Sequence, residues 1–364
     1  MAKKKTTNQA LRPAAEVQYQ KELAQLAKED KGQRPPNWKL SPPAVVQYIL
    51  GGKTASGFTI RPKYFGNQQL IEIAVATLVT DRALLLTGIP GTGKTWLAEH
   101  LAAAISGNSQ LLIQGTSGIS EEALRYGWNY AQLIAKGPSP EALVPSPVFV
   151  AMQQGAIARV EELTRIPADI QDALITILSE KILPIPELNT KIEAQHGFNV
   201  IATANNRDRG INEMSSALRR RFNTVVMPLP TSIKEEVKIV QTRVAELSQT
   251  YGLPAKSVPL KELERLITIF RELRSGVTAD GSHKIKSPSS TLSTAEAISV
   301  ISNSQALAVH FGNGKVDAKS LVLSMQGAII KDPKLDTPIW KEYVETVVKS
   351  RKDWKDIYDF AQQN

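Results

Sequence analysis

Short hydrophobic runs alternate with longer amphipathic segments through the middle of the chain. Leu84, Leu85 and Leu86 predict a strand that is buried on both faces. Runs of this kind predict five strands, over residues 83–87, 110–114, 156–160, 200–204 and 225–227. Apolar residues at helical spacing predict helices between them, over 68–79, 94–105 and 168–178. This alternation is typical of a parallel α/β sheet.

The flanks of this region are helical. Helical spacing predicts two short helices before it, over 16–27 and 42–50. After Pro230 we expect only helices, two of which begin at capping boxes, Ser232 with Glu235 and Ser293 with Glu296. A hairpin is expected over 181–198, an insertion loop over 138–147, and a helix capped by Ser120. We divide the chain into an N-terminal arm (1–50), an αβα core (51–230), a helical lid (231–331) and a helical tail (332–364).

Composition and charge narrow the class of protein. The 364 residues are 42% hydrophobic and include no cysteine, which excludes disulfides and thiolate metal sites and fits a cytoplasmic protein. The longest hydrophobic window, 71–89, contains Glu72, Asp81 and Arg82, so we expect no membrane span. Residues 1–50 carry nine cations and four anions, which accounts for +5 of the net charge of +9. Such an arm either contacts nucleic acid or an acidic partner, or is a solvated tail.

The stretch between the first strand and the helix that follows it carries the main chemical signal. It matches the phosphate-loop pattern G-x-x-x-x-G-K-[ST]. Glycines let backbone N–H groups approach phosphate oxygens, and the helix N-terminus adds partial positive charge. The predicted nucleotide-binding residues are Gly88, Ile89, Pro90, Gly91, Thr92, Gly93, Lys94, Thr95 and Trp96. In this set Lys94 is expected to reach the terminal phosphates, and the Thr95 hydroxyl is placed to ligate Mg²⁺.

Polar residues at the ends of two later strands supply candidates for hydrolysis. Glu161 and Glu162 end the third strand, at the sheet edge that also holds the phosphate loop. We expect Glu161 to hold Mg²⁺, through water, and Glu162 to polarise the attacking water. Asn205 ends the fourth strand and is expected to orient that water against the γ-phosphate.

Three consecutive arginines, Arg219, Arg220 and Arg221, precede the fifth strand. Adjacent cations repel one another unless an anion lies between them. Since none of them easily reaches the phosphates of its own chain, we expect one to reach the nucleotide of a neighbouring copy, where it stabilises developing charge.

The order and spacing of these motifs resemble the AAA+ ATPases, in particular the MoxR branch with its McrB-type relatives, and within it a YehL-like subgroup. The resemblance spans about residues 60–330. Its motifs are Walker A at 88–95, Walker B at 160–162, sensor 1 at 202–205, and the arginine-finger region formed by 208–209 and 217–222.

The resemblance implies an αβα core with a helical lid, assembled as a homo-oligomeric ring that is usually hexameric, with ATP and Mg²⁺ between copies. It makes Arg221 the arginine finger in trans, with Arg220 and Arg219 as helpers and Arg209 as a further cation. It also implies that the adenine lies against Tyr64, Phe65 and Gly66. The segments 181–198 and 115–154 take the places of two insertions that face the ring pore.

Two departures from the family pattern affect the expected mechanism. The Walker B acid is Glu161 where aspartate is usual, and Arg159 interrupts its strand, so we expect loose Mg²⁺ coordination and slow turnover. The usual sensor-2 arginine is absent from 289–296, and Lys284 or Lys286 is the candidate substitute.

The favoured function is an ATP-hydrolysing ring that remodels a protein partner in a chaperone-like way. By resemblance alone, that partner is a protein with a von Willebrand factor A domain. Two alternatives stay open. One is a nucleic-acid motor of the McrB type, and the other is a nucleotide-gated scaffold with very slow turnover.

Overall fold

A computed structural model describes residues 10–205, 212–254 and 258–362. The described residues form two compact units. The first lies within Met1–Ile89 and Gly93–Met227, and the second lies within Pro90–Thr92 and Pro228–Asn364. Asn206, Asp208, Arg209 and the lysines at positions 3–5 lie outside the described residues.

A parallel five-stranded sheet forms the centre of the first unit, as the hydrophobic pattern predicts. The order of its strands is β11-β3-β10-β7-β4, and every neighbouring pair is parallel. Smaller antiparallel pairs join β1 to β2, β5 to β6 and β8 to β9. The described strands are β1 Gly52–Lys53, β2 Thr59–Ile60, β3 Ala83–Gly88, β4 Leu112–Gln114, β5 Tyr126–Trp128, β6 Leu143–Pro145, β7 Ile157–Glu161, β8 Ile182–Ile185, β9 Thr190–Glu193, β10 Asn199–Asn205 and β11 Phe222–Val226.

Helices cover both faces of this sheet. Because side chains alternate along a strand, Leu84 and Leu86 join one hydrophobic cluster while Leu85 joins another on the opposite face. The helices of this unit are α1 Ala15–Gln18, α2 Gln20–Glu29, α3 Pro42–Leu50, α4 Gln68–Val79, α5 Lys94–Ser106, α6 Glu121–Leu124, α7 Tyr130–Lys136, α8 Pro147–Gln154, α9 Ala168–Gln171, α10 Ala173–Ser179 and α11 Ser216–Arg219; 3₁₀ turns lie at Leu163–Arg165 and Pro186–Leu188.

The segment between β4 and β7 differs from the expectation. Residues 138–147, expected to be a loop, contain strand β6 and the first residue of α8. Val144 of β6 pairs with Gly127 of β5, and three-residue strands are too short to show an alternating pattern. Ser120 stands at the N-cap of α6, but its side chain makes no capping hydrogen bond. The hairpin expected over 181–198 is present as β8 and β9.

The described part of the N-terminal arm packs into the core of the first unit. Tyr19, Leu40 and Tyr48 are at most 1% exposed and share a hydrophobic cluster with α4 and α5. Arg12 pairs with Glu99 of α5 at 2.7 Å. Residues 10–50 are therefore not a solvated tail.

The second unit contains only helices among the elements assigned to its described residues after 228. Its helices are α12 Ile233–Tyr251, α13 Leu260–Ser275, α14 Thr294–Phe311, α15 Ala318–Ile329, α16 Pro333–Tyr343 and α17 Lys355–Gln362, with a π-helical turn at Val344–Val348 and a 3₁₀ turn at Lys352–Trp354. One hydrophobic cluster joins α12 through α17, so the predicted lid and tail regions share a core. The capping box at Ser293 is present as predicted. Ser232 caps α12, whereas Glu235 accepts hydrogen bonds from Thr231 rather than from the N-cap.

Among the described residues, no helix combines the length and the apolar character that crossing a bilayer requires.

The buried pair between Glu22 and Lys63 ties the arm to the core and gives a test of this packing. The Lys63 side chain is fully buried and the Glu22 side chain is 6% exposed. Glu22→Gln leaves the lysine charge without its counter-ion, so we expect a loss of about 3 kcal/mol in the free energy of unfolding, measured by urea denaturation. Glu193→Gln, which breaks the exposed pair with Lys191, is the matched control and is expected to leave the urea midpoint unchanged. Equal effects of the two substitutions would contradict the proposed role of the arm.

Candidate functional site

The parallel register of three neighbouring strands brings the predicted polar residues together. In β10, Asn205 pairs with Gly88 of β3, and Ala202 pairs with Val160 of β7. The carboxyl ends of β3, β7 and β10 therefore meet at one edge of the sheet. The phosphate loop, the two acids and the asparagine all lie at or just after these carboxyl ends. This edge is where open α/β sheets bind ligands.

The phosphate loop leaves β3 at this edge and enters α5 at Lys94. Gly88, Gly91 and Gly93 have φ values of 147°, 78° and 83°, a region that only glycine adopts readily. The Lys94 ammonium donates to the carbonyls of Gly88, at 3.1 Å, and Ile89, at 2.9 Å, so it lies within the curve of its own loop. A cation and a helix N-terminus thus converge on the loop, which suits an anionic ligand.

The Glu161 carboxylate is buried and accepts three hydrogen bonds from side chains. Thr95 donates to its Oε2 from 2.7 Å and Thr203 donates to the same oxygen from 2.5 Å. Arg159 donates to Oε1 from 2.7 Å. This arrangement orients the Glu161 carboxylate. Because the Thr95 hydroxyl donates its proton to Glu161, the lone pairs of the hydroxyl oxygen remain available to another group.

Glu162 and Asn205, predicted separately, are directly hydrogen-bonded. The Asn205 amide nitrogen lies 3.1 and 3.0 Å from the two carboxylate oxygens of Glu162. Glu162 also has a left-handed backbone, with φ of 55°, which is uncommon for a residue with a side chain. The backbone N–H of Glu162 donates to the Thr203 hydroxyl at 3.1 Å. These contacts hold the acid at the sheet edge, beside Glu161.

Thr203 lies within the sensor 1 stretch, but the motif analysis gave this residue no role of its own. Its hydroxyl donates to Glu161 and accepts from the Glu162 backbone, so it links the two acids. The signal in the sequence was its polarity within the otherwise apolar run from Val200 to Ala204. Polarity within a buried strand marks a hydrogen-bonding requirement, but it does not identify the partner.

The segment predicted to contact adenine is tied to α5. The Trp96 indole donates to the Lys63 carbonyl at 2.9 Å, which fixes the backbone just before Tyr64. Tyr64 and Phe65 are half-buried, whereas Gly66 is exposed with φ of 141°. A side chain at Gly66 would place its Cβ 2.8 Å from the Tyr64 hydroxyl oxygen, so the Tyr64 ring packs against a position open to glycine alone.

A buried polar contact supports α5 from the arm side. The Tyr48 hydroxyl lies 2.9 Å from Nδ1 of His100, on the turn of α5 that follows Trp96. Burial raises the pKa of Tyr48 well above its usual range, so the phenol stays neutral. The Trp96 and His100 rings meet edge to face at 4.2 Å. Arm, α5 and the segment around Lys63 thus form one packed support for the phosphate loop.

The three arginines lie at the opposite end of the sheet from the phosphate loop. The Arg221 carbonyl accepts from the Ala83 backbone, and Phe222 pairs with Ala83 at the start of β3. The loop follows the other end of this six-residue strand, roughly 17 Å away for five rises of about 3.3 Å. Arg219 and Arg220 are exposed, and Arg221 donates to Ser179 at 2.8 Å. The structure therefore does not bring the arginines to the phosphate loop of their own chain.

The predicted lid candidates have contacts within the second unit. Lys286 lies 3.7 Å from the Glu342 carboxylate, and Lys284 bridges to Val277 through its backbone. Ser293 and Glu296 satisfy each other at the start of α14. Neither of these two lysine contacts involves a residue of the phosphate loop.

The donor set at Thr95 and Glu161 fits Mg²⁺. Magnesium prefers oxygen ligands and is usually held by one or two protein oxygens together with substrate phosphates. A hydroxyl and a buried carboxylate meet here, at the foot of the phosphate loop. Within the described ranges, no group of three or more His, Cys, Asp or Glu side chains is placed to hold a metal alone. The residues present thus suit a cation that is shared with a nucleotide.

Comparison with known proteins gives two matching family models. Residues 83–222 match the AAA domain of the dynein-related subfamily, and residues 234–363 match the YehL-like AAA+ ATPase C-terminal domain. The chain is 41% identical to YehL of Escherichia coli (strain K12) over 96% of its own length and 97% of the length of YehL. An uncharacterized protein of Staphylococcus epidermidis, SERP0979, is 29% identical over 48% of this chain and 68% of its own length.

Solved structures show the same fold at low sequence identity. NtrX of Brucella abortus in complex with ATP aligns with a TM-score of 0.51 at 13% identity, covering 81% of this chain and 60% of NtrX. Its complex with ADP aligns equally well, covering 82% of this chain and 63% of NtrX. This likeness concerns the fold alone. The family match and the phosphate-loop geometry together support ATP binding.

Proposed function

Because the chain belongs to the YehL-like AAA+ ATPases, we propose that it hydrolyses ATP in a site completed by an arginine of a second copy. The observation that carries this proposal is the distribution of the functional groups. Lys94, Glu161 and Glu162 lie at the carboxyl edge of the sheet, while Arg219–Arg221 precede β11 at the opposite edge. A side chain is far shorter than a six-residue strand, so these arginines serve a neighbour's nucleotide.

Each residue at the edge then has a role in the reaction. Lys94 binds the β- and γ-phosphates, and Thr95 with Glu161 holds Mg²⁺, which neutralises phosphate charge when it is bound. Glu162 accepts a proton from the attacking water, and Asn205 sets the position of the Glu162 carboxylate through its amide. Arg221 of the adjacent copy stabilises the charge that develops on the γ-phosphate, with Arg219 and Arg220 beside it. We further propose the ring arrangement, usually hexameric in this family, that this sharing requires.

Mixing two inactive variants tests whether the site is shared. Lys94→Met keeps the arginines but loses the phosphate-binding cation, and the Arg219→Ala, Arg220→Ala, Arg221→Ala triple variant keeps an intact phosphate loop. Each alone is expected to be inactive in a phosphate-release assay. When the two variants are mixed in equal amounts, about a quarter of the interfaces in a random ring combine one intact loop with one intact arginine set. We therefore expect the mixture to recover about a quarter of the wild-type activity. Mixed assemblies that form, as shown by native mass spectrometry, yet release no phosphate would refute the shared site.

The Thr203 hydroxyl gives a sharper test of the geometry inside one copy. Thr203→Val conserves shape but removes the donor to Glu161 and the acceptor for the Glu162 N–H. Hydrogen bonds to charged groups contribute about 1.5–3 kcal/mol, so we expect kcat to fall by about tenfold or more. The measurement is steady-state ATP turnover at saturating Mg²⁺. Thr224→Val, on the exposed face of β11, is the matched control and should retain wild-type turnover.

We propose that the ring acts on a protein partner, as a remodelling ATPase, with a von Willebrand factor A domain protein as the candidate that the family resemblance suggests. Exposed hydrophobic side chains in the insertion between β5 and β6 support a protein-contacting role. Ile134 is 87% exposed and Tyr130 is 61% exposed, both on the short helix α7. The two side chains lie one helical turn apart, so they form a small exposed apolar surface that suits contact with a protein.

Capture by a hydrolysis-deficient variant tests the partner. Glu162→Gln with ATP is expected to hold the assembled, partner-bound state, and proteins retained on it are identified by mass spectrometry. The matched control carries Glu162→Gln together with Tyr130→Ser and Ile134→Ser, which should lose the partner while still assembling. Retention of nucleic acid in place of protein, or equal capture by the control, would count against this proposal.

A further inference from the structure

A positive charge is buried in strand β7, beside the residue assigned to Mg²⁺. The neighbours of Arg159 in this strand, Ile157, Ala158 and Val160, are fully buried and apolar. The Arg159 side chain is 4% exposed. Because burying a charge is unfavourable unless it is paired, a guanidinium in this position needs an explanation beyond strand packing.

Two of the three side-chain hydrogen bonds of Arg159 go to the metal-binding pair, Thr95 and Glu161. Its Nη2 donates to Glu161 Oε1 at 2.7 Å and approaches the Thr95 carbonyl at 3.4 Å. Its Nη1 donates to the Ser109 carbonyl at 2.9 Å. Among the described residues, Nε of Arg159 has no hydrogen-bond partner, so the group is not fully satisfied by the fold. Residues 159 and 161 share one face of the strand, which keeps the two charges in contact.

The pair changes the charge of the metal-binding position. In a site with the carboxylate alone, its negative charge would attract a divalent cation and repel phosphate oxygens. Here Arg159 neutralises Glu161 from within the chain and leaves Oε2 to Thr95 and Thr203. Both effects of the carboxylate are therefore reduced before any ligand arrives.

We propose that Arg159 is a positioning residue and internal counter-ion that sets how strongly nucleotide binding depends on Mg²⁺. With Arg159 present, the site holds a nucleotide even when the metal is removed, because the carboxylate that is hydrogen-bonded to Thr95 is already neutralised. This inference rests on nucleotide binding at the phosphate loop, as in the proposed function, but it does not require hydrolysis.

The wild-type protein provides a test that needs no variant. The dissociation constant of a fluorescent ADP analogue is measured by titration in Mg²⁺ and again in EDTA. We expect removal of the metal to raise the dissociation constant by less than about tenfold, since the carboxylate at the metal-binding position is already paired with Arg159. A larger increase overturns the inference. Failure of the wild type to bind the probe in either buffer would instead reject the proposed function itself.

Variants separate charge from packing. Arg159→Met removes the charge with similar bulk, so binding in EDTA should weaken while Mg²⁺ is held more tightly. Both changes raise the ratio of the dissociation constant in EDTA to that in Mg²⁺. For a unit charge in a buried site, we expect this ratio to rise by about tenfold or more. Arg159→Lys keeps the charge and should retain the wild-type ratio. If both variants weaken binding equally in the two buffers, the residue is merely structural and the inference is wrong.

Substitution of Glu161, the ion-pair partner of Arg159, is expected to change the ratio of the two dissociation constants in the opposite direction. Glu161→Gln leaves the guanidinium charge uncompensated, so the probe should bind more tightly in EDTA than it binds to the wild type, and the ratio should fall. Weaker binding in EDTA would contradict the inference. Circular dichroism shows which variants are folded. If Arg159→Met does not fold, the titration of the wild-type protein in Mg²⁺ and EDTA still tests the inference.

Discussion

The parallel alignment of β3, β7 and β10 is the constraint on which the site depends. Gly88, Glu161 and Asn205 end three different strands, and the register places these ends side by side. A slip of one residue in β10 would turn Thr203 and Asn205 to the other face of the sheet, away from both acids. The hydrophobic clusters on the two faces oppose such a slip, because it would move Ile201 into the cluster that now holds Val200 and Ala202, where the packing does not fit it. The chemistry at the edge is thus positioned by the packing of the core.

The Glu161 carboxylate is hydrogen-bonded to three of the elements that the sheet brings together. It accepts donors from the phosphate-loop helix, from the neighbouring strand and from its own strand. A glutamate, one methylene longer than aspartate, reaches these donors while Arg159 keeps the opposite oxygen occupied. The departure from the usual acid and the unusual arginine are therefore parts of one arrangement, and the geometry gives no reason to regard the carboxylate as loosely held.

Much of the secondary structure could be predicted from the sequence because its signals are local. Buried leucines in β3, the phosphate-loop spacing and the capping box at Ser293 each depend on neighbouring residues, and the structure contains all three. Contacts between distant residues had no such signal. The link from Thr203 to Glu161 spans 42 positions, and the strand at Val144 is recognised only through its pairing with β5. The shared core of the lid and tail regions likewise follows from packing across helices, which periodicity alone does not reveal.

The embedding of the arm has a consequence for how the chain acquires its structure. Arg12 contacts Glu99 across 87 positions, and Glu16 accepts from the Ser109 backbone across 93. During synthesis the arm therefore emerges well before the helix against which it is buried. Loop-closure entropy must be overcome before these contacts form, which makes them slow compared with helix formation. The arm is thus synthesised before the helix that it packs against, and the phosphate-loop helix gains its full support only when these contacts form.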